Sequence, residues 1–364
     1  MERSYRLVRR VGTGSNAEVF EGLATGPGGF EKRVALKRLS AGLSHRTMLE
    51  LADEARISSQ LSHPNVVSVF DFGVFDGVPY IVMEYVDGLD LWSLLEHVRR
   101  ADRLIPAPVS LLVVRDVALA LHAVHEQTSA AGRRLGIVHR DVSPSNIMVT
   151  WQGDVKLADF GVAKALNKEM VTESGTVRGK LSYLAPEQLR GQGATVASDL
   201  FALGCVLAWM LTGRSPMSDK TQRDRAVLGE HPMSGSRQKH AAHADVLQTA
   251  LQPNARRRFE NGEAMARAID GVLSEVKPRV HSLTLRDWLK SLDMRRRGRP
   301  AAKKRGILDL PAAPVADDWF SLSTHANRLP TDSKTMAEPW SDRTDTVDPL
   351  DSDTIIDGFE SSKD

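Results

Sequence analysis

The chain has 364 residues, 41% hydrophobic and 26% charged, enough for one large domain or two ordinary ones with a sizeable core. Its lone cysteine, Cys205, excludes an internal disulfide, and its longest apolar stretch, Leu200–Leu211, falls short of the ~20 residues that span a bilayer. The net charge of +2 hides an asymmetry: residues 306–364 hold 13 acidic and 4 basic side chains, a net of −9, which leaves +11 on residues 1–305. Met1-Glu2-Arg3-Ser4 lacks the apolar run of a signal peptide, so the expectation is a cytoplasmic protein that does not engage a membrane.

Residues 5–86 read as short β-branched runs broken by glycine-rich turns, with one helical stretch near Arg46–Leu61. Inside them, Val11-Gly12-Thr13-Gly14-Ser15-Asn16-Ala17-Glu18-Val19 sets two glycines between two strands. A plain hairpin turn explains that pair, because glycine supplies positive φ. So does a flap whose bare backbone closes on phosphates, with Ala17 tolerated in place of a third glycine. Val34-Ala35-Leu36-Lys37 then ends an apolar strand in a lysine. Such a lysine is ordinarily solvated, whereas one that holds phosphate in a cleft needs an anionic partner. Glu54, on the following helix, lies at a suitable spacing, although by itself it reads as an exposed helix carboxylate.

Helical periodicity dominates from Leu89 to Leu273, interrupted by loops at 127–161 and 170–185. A small sheet-rich part followed by a larger helical one predicts two lobes flanking a cleft. A further helix is predicted over Leu283–Met294, with Leu285, Trp288, Leu289 and Leu292 on one face. After it come a basic cluster, Arg295–Arg305, and an Asp/Ser/Thr/Pro-rich tail from 306 to 364 with too little apolar content to offset ordering entropy, hence expected disordered.

The strongest local signal is His139-Arg140-Asp141-Val142-Ser143-Pro144-Ser145-Asn146, set between apolar Ile137-Val138 and Ile147-Met148-Val149. On one tight loop, a carboxylate at Asp141 can accept a proton from an incoming hydroxyl while the Asn146 amide oxygen ligates a hard cation. Asp159-Phe160-Gly161 follows strand-like Val155-Lys156-Leu157 and offers a second carboxylate for Mg²⁺. Either motif alone could be a polar loop.

Taken in order, G-x-G-x-x-A-x-V, V-A-L-K, a helix Glu, H-R-D-x-x-x-x-N, D-F-G and Ala185-Pro186-Glu187 resemble the eukaryotic-type (Hanks-type) bacterial serine/threonine protein kinases, with wording similar to myxobacterial members. The resemblance implies an α+β, bilobal protein kinase fold over residues 1–275, with an N-lobe at about 5–84 and a C-lobe at about 87–275. Residues 276–305 would be a helix and basic linker, and 306–364 the acidic tail. It implies ATP with Mg²⁺ (or Mn²⁺) as cofactors and protein hydroxyls as acceptors. Carried over by position, Lys37 would pair with Glu54 and hold phosphates, Asp141 would be the catalytic base, and Asn146 and Asp159 the metal ligands. Val11, Gly12 and Gly14 would cover the nucleotide. Val19, Ala35 and Met148 would enclose adenine, the hinge backbone at Glu84 and Val86 would bond it, and Asp90 would meet the ribose. Met83 would be the gatekeeper. His139 and Phe160 would be packing residues linking the lobes, Asp199 would brace the catalytic loop, and Glu187 would pair with Arg258.

Two positions depart from the family pattern. Its lysine two residues after the catalytic Asp is Ser143, and its threonine before Ala-Pro-Glu is Lys180, whose charge could partly replace the missing one. These losses keep open a scaffold that binds partners without transferring phosphate. Arg140 is expected to be a buried cation neutralised by a phosphate on Thr176. Arg297-Gly298-Arg299-Pro300 resembles an AT-hook for A·T-rich DNA, and Thr354-Ile355-Ile356-Asp357 resembles a phosphothreonine motif read by forkhead-associated domains.

Overall fold

The computed structural model describes residues 4–13, 17–39, 48, 51–52, 55–56, 58–75, 77–129, 131–159, 181–233, 243–294 and 309–311. Its N-terminal part is an antiparallel sheet of β1 (Ser4–Thr13), β2 (Ala17–Gly26), β3 (Phe30–Leu39), β4 (Val69–Phe75) and β5 (Val78–Glu84), in the order β4-β5-β3-β2-β1. Two-residue alternation sorts its side chains between two faces. Val34, Leu36, Tyr80 and Val82 pack with Tyr5 on one face, while Leu39 and Ile81 pack with Leu51 on the other.

The large lobe begins with β6 (Gly88–Asp90), α1 (Leu91–Arg100) and α2 (Ala107–His125). Then come β7 (Ile147–Thr150), β8 (Val155–Leu157), α3 (Pro186–Leu189), α4 (Val196–Thr212), α5 (Lys220–Val227), α6 (Ala244–Ala250), α7 (Gly262–Ser274) and α8 (Ser282–Ser291). β7 and β8, within the loop region predicted at 127–161, join β6 in a small sheet of order β6-β7-β8. It is tied to the segment ahead of β4 by Val67 N–H to Leu157 O (2.9 Å) and Leu157 N–H to Asn65 O (2.8 Å).

α4 is capped at one end by Thr195, whose hydroxyl accepts from Ser198 N–H, and at the other by Gly213 at φ 80°. It is apolar nearly all round because the lobe surrounds it, and Cys205 lies wholly buried on it, its thiol pushed up well above the usual range by desolvation. α2, against it, is long and apolar enough to cross a membrane by length and composition, yet most of its apolar residues are buried in the core. α7 approaches α2 closely at Gly262, where a Cβ would fall 2.2 Å from Ala118 O. Leu285 and Leu289 of α8 close this core, as their spacing predicts.

One part of the expected disordered tail is instead paired. Asp309–Pro311 forms β9, antiparallel to β1 with Tyr5 opposite Leu310. β1 is otherwise an edge with unpaired amides, and strand addition satisfies them without requiring the core that composition argues against.

His231 gives the lobe a pH dependence. Its Nδ1 accepts from Met233 N–H (3.1 Å), so its Nε2–H donates to Gln248 O (3.0 Å). Burial lowers its pKa below the usual 6.5. The unfolded chain therefore binds the proton more readily than the folded one, and stability falls as pH drops through about 6.5. The melting temperature of wild type is expected to fall more between pH 7.5 and 5.5 than that of His231→Gln. Equal falls would contradict this.

Candidate active site

Asp199, buried at the start of α4, organises the loop between α2 and β7. Its Oδ2 accepts from His139 N–H (2.7 Å) and from His125 Nε2 (2.9 Å), and its Oδ1 accepts from Arg140 N–H (2.9 Å). Two of these bonds hold the backbone where Arg140 adopts φ 70°, a conformation that costs a non-glycine residue about 1–3 kcal/mol. His139 is fully buried and ties the same loop to the segment after β8. Its Nδ1 accepts from Asp141 N–H (3.3 Å) and its Nε2–H donates to Ala158 O (3.0 Å). His139 therefore packs as expected and also hydrogen-bonds the two loops together, with no nitrogen left over for proton shuttling.

Asn146 ends the 3₁₀ turn Pro144–Asn146, and its Nδ2 donates to Asp141 O (2.8 Å). That bond commits the amide nitrogen to Asp141. Asp159 follows Ala158 at φ 60°, and its Oδ1 receives Lys37 Nζ at 2.7 Å. Lys37 stands on β3 and Asp159 beyond β8, so this half-buried pair joins the two lobes. The structure thus brings Lys37, Asp159, Asn146 and Asp141 onto connected elements, although 122 residues separate Lys37 from Asp159.

The oxygen-only donor set of Asn146 and Asp159 suits a hard cation such as Mg²⁺, which prefers one or two protein oxygens and completes its shell with water and phosphate. The expected nucleotide residues lie on the adjoining strands. Val19 pairs with Gly12 on one side and Lys37 on the other, and Ala35 pairs with Met83. Val11, on β1, is exposed, and Met148 on β7 pairs with Asp90. Glu84 ends β5 with its N–H donated to Ser68 O (2.8 Å), and Val86 is half-buried in the link to β6.

Some placements differ from expectation. Arg140, expected buried, is exposed: its backbone is held by Asp199 while its guanidinium reaches solvent, and it forms no ion pair among the described residues. Asp90 caps α1, with its carboxylate accepting Ser93 N–H and Oγ–H, both at 2.8 Å. The partner that the structure gives Lys37 is Asp159. Glu54, Gly14, Phe160, Thr176 and Lys180 lie outside the described residues, as do Arg297–Pro300 and Thr354.

Two contributors escaped the sequence reading. His125 supports Asp199 from 74 positions away, and Lys156 bonds Glu84 (2.9 Å) and Pro64 O (3.0 Å), fixing the hinge. No local pattern marks either. Glu187 and Arg258 do pair as expected, through two 2.7 Å bonds.

A sequence model of the protein kinase domain matches residues 5–275. The tyrosine-protein kinase MasK of Myxococcus xanthus is 39% identical over 74% of this chain and 43% of its own length. The serine/threonine-protein kinase PrkC of Bacillus subtilis is 36% identical over 60% of this chain and 32% of its length. The chain therefore spans less than half the length of these curated relatives. Among solved structures, the PknI kinase domain of Mycobacterium tuberculosis superposes with a TM-score of 0.55 at 28% identity, covering 74% of this chain and 95% of that one.

Proposed function

This chain belongs to the protein kinase domain family, and from that premise we propose that it is an ATP- and Mg²⁺-dependent kinase of protein serine and threonine hydroxyls. The observation that carries the reading is the Lys37–Asp159 bridge at 2.7 Å, which sets a phosphate-binding cation and a metal-binding carboxylate together across the cleft. Asn146 and Asp159 would hold Mg²⁺, which neutralises phosphate charge when bound. Lys37 holds the phosphates in place, and Val19, Ala35 and Met148 enclose the base beside the Glu84–Val86 hinge. Asp141 orients the acceptor hydroxyl and takes its proton, on a backbone that Asp199 and His139 keep fixed. The complete set of base, lysine and metal ligands argues against the scaffold reading.

Serine/threonine preference is supported by relatives such as PrkC, and the MasK name supports tyrosine as the second reading. Mass spectrometry of the chain and of a generic basic protein, after incubation with Mg²⁺-ATP, decides between them. Phosphoserine and phosphothreonine are expected; phosphotyrosine alone would favour the second reading.

The proposal extends to a cytoplasmic signalling role and to self-phosphorylation at Thr176, with the exposed guanidinium of Arg140 as phosphate partner. Thr176→Ala is expected to lower kcat roughly tenfold or more in a steady-state assay, and full activity would refute the switch. A phosphothreonine at 354 for a forkhead-associated domain and minor-groove contact by 297–300 rest on motif resemblance alone. Pull-down with an isolated domain and gel shifts on A·T-rich and G·C-rich duplexes test them.

A further inference from the structure

Away from the cleft, a cavity of about 680 Å³ opens between the end of α3, the loop leading to α4, and the loop between α6 and α7. Arg190, Arg256 and Arg257 line it. Among the described residues its one acidic lining residue, Glu187, is spent: both carboxylate oxygens are held by Arg258. Arg190 donates to Val227 O (3.0 Å). Arg256 and Arg257 are exposed and make no ion pair among the described residues. Three arginines thus line one concavity whose acidic lining residue among the described residues is already paired, an arrangement that self-repels unless an anion offsets it. Guanidinium forks match carboxylates in bidentate geometry, and the volume accommodates several side chains of an extended segment.

The cavity is also connected to the catalytic loop. Arg258 Nη1 donates to Ala197 O (2.9 Å) in the first turn of α4, two residues before Asp199. α3 follows directly on the turn Leu181–Tyr183 and Ala185.

We propose that this cavity is a docking site for an acidic segment of the protein substrate, an inference that rests on the kinase reading. The basic wall captures the acidic segment and raises the local concentration of the acceptor hydroxyl, lowering KM without entering the chemistry.

The test is fluorescence anisotropy of a labelled hexaglutamate peptide with the full chain, without ATP, at about 0.15 M salt. Arg256→Glu/Arg257→Glu is expected to weaken binding roughly tenfold or more, while Arg256→Lys/Arg257→Lys retains most of it. Arg295→Glu/Arg296→Glu/Arg297→Glu, in the separate basic run, is expected to leave binding within about twofold. Unchanged binding in the first variant, or loss in the third, would overturn the proposal. If the first variant fails to fold, Arg190→Glu takes its place with the same expected loss. Phosphorylation of a generic basic protein by the first variant should persist, which separates failure of docking from failure of catalysis.

Discussion

Replacing Asp141 by Asn is expected to lower kcat about 10²–10⁴-fold while leaving the melting temperature and the KM for ATP nearly unchanged. The substitution preserves shape, and two of the bonds that position residue 141 come from its backbone. Its N–H meets His139 Nδ1 at 3.3 Å, and its carbonyl accepts Asn146 Nδ2 at 2.8 Å. Neither depends on the side chain. What the amide loses is the negative charge and the capacity to take a proton from the acceptor hydroxyl. A variant within tenfold of wild type, measured at saturating ATP and acceptor, would remove Asp141 from its role.

The second large effect is on stability. Arg258 is fully buried and spends its guanidinium on Glu187, on Ala197 O (2.9 Å), on Gln252 O (2.7 Å) and on Pro253 O (3.2 Å), while lying 4.7 Å above the Phe201 ring. Arg258→Ala leaves the Glu187 carboxylate buried without its cation and removes the donor that Arg258 gives to three carbonyls. Breaking such a pair from one side costs about 3–5 kcal/mol, or roughly 10 °C in Tm for a domain of this size. Glu187→Met/Arg258→Met removes both charges and is expected to recover part of that loss, because the desolvation penalty disappears with them. Calorimetry of the single and double variants checks both. An Arg258→Ala Tm within about 2 °C of wild type would show that the pair does not hold the lobe together.

The part of the fold that short-range periodicity encodes was legible in the sequence. Short β-branched runs between glycine-rich turns marked the N-terminal strands, the apolar run at Leu200–Leu211 marked the buried helix α4, and Leu285 and Leu289 announced the buried face of α8. The candidate site was legible because its chemistry is concentrated in two short loops. The support of those loops was less so. Asp199 was assigned only through resemblance, and His125 and Lys156 not at all, since each acts through a bond to a residue more than 70 positions away. Arg140, expected as a buried cation, is exposed, because the bond that holds its residue runs from its backbone N–H to Asp199 and not from its guanidinium. Likewise β9 could not be read from composition, because among the described residues it pairs with the backbone of an edge strand.

The most direct test of the central claim is transfer of ³²P from [γ-³²P]ATP to a basic protein by purified wild type and by Asp159→Asn, side by side with Mg²⁺. Asp159 joins the lysine on β3 to the loop proposed to hold the metal, so its amide variant should lose nearly all transfer while remaining folded. Rapid, Mg²⁺-dependent labelling by wild type and almost none by the variant is the predicted result. No labelling by wild type, or equal labelling by both, would contradict it.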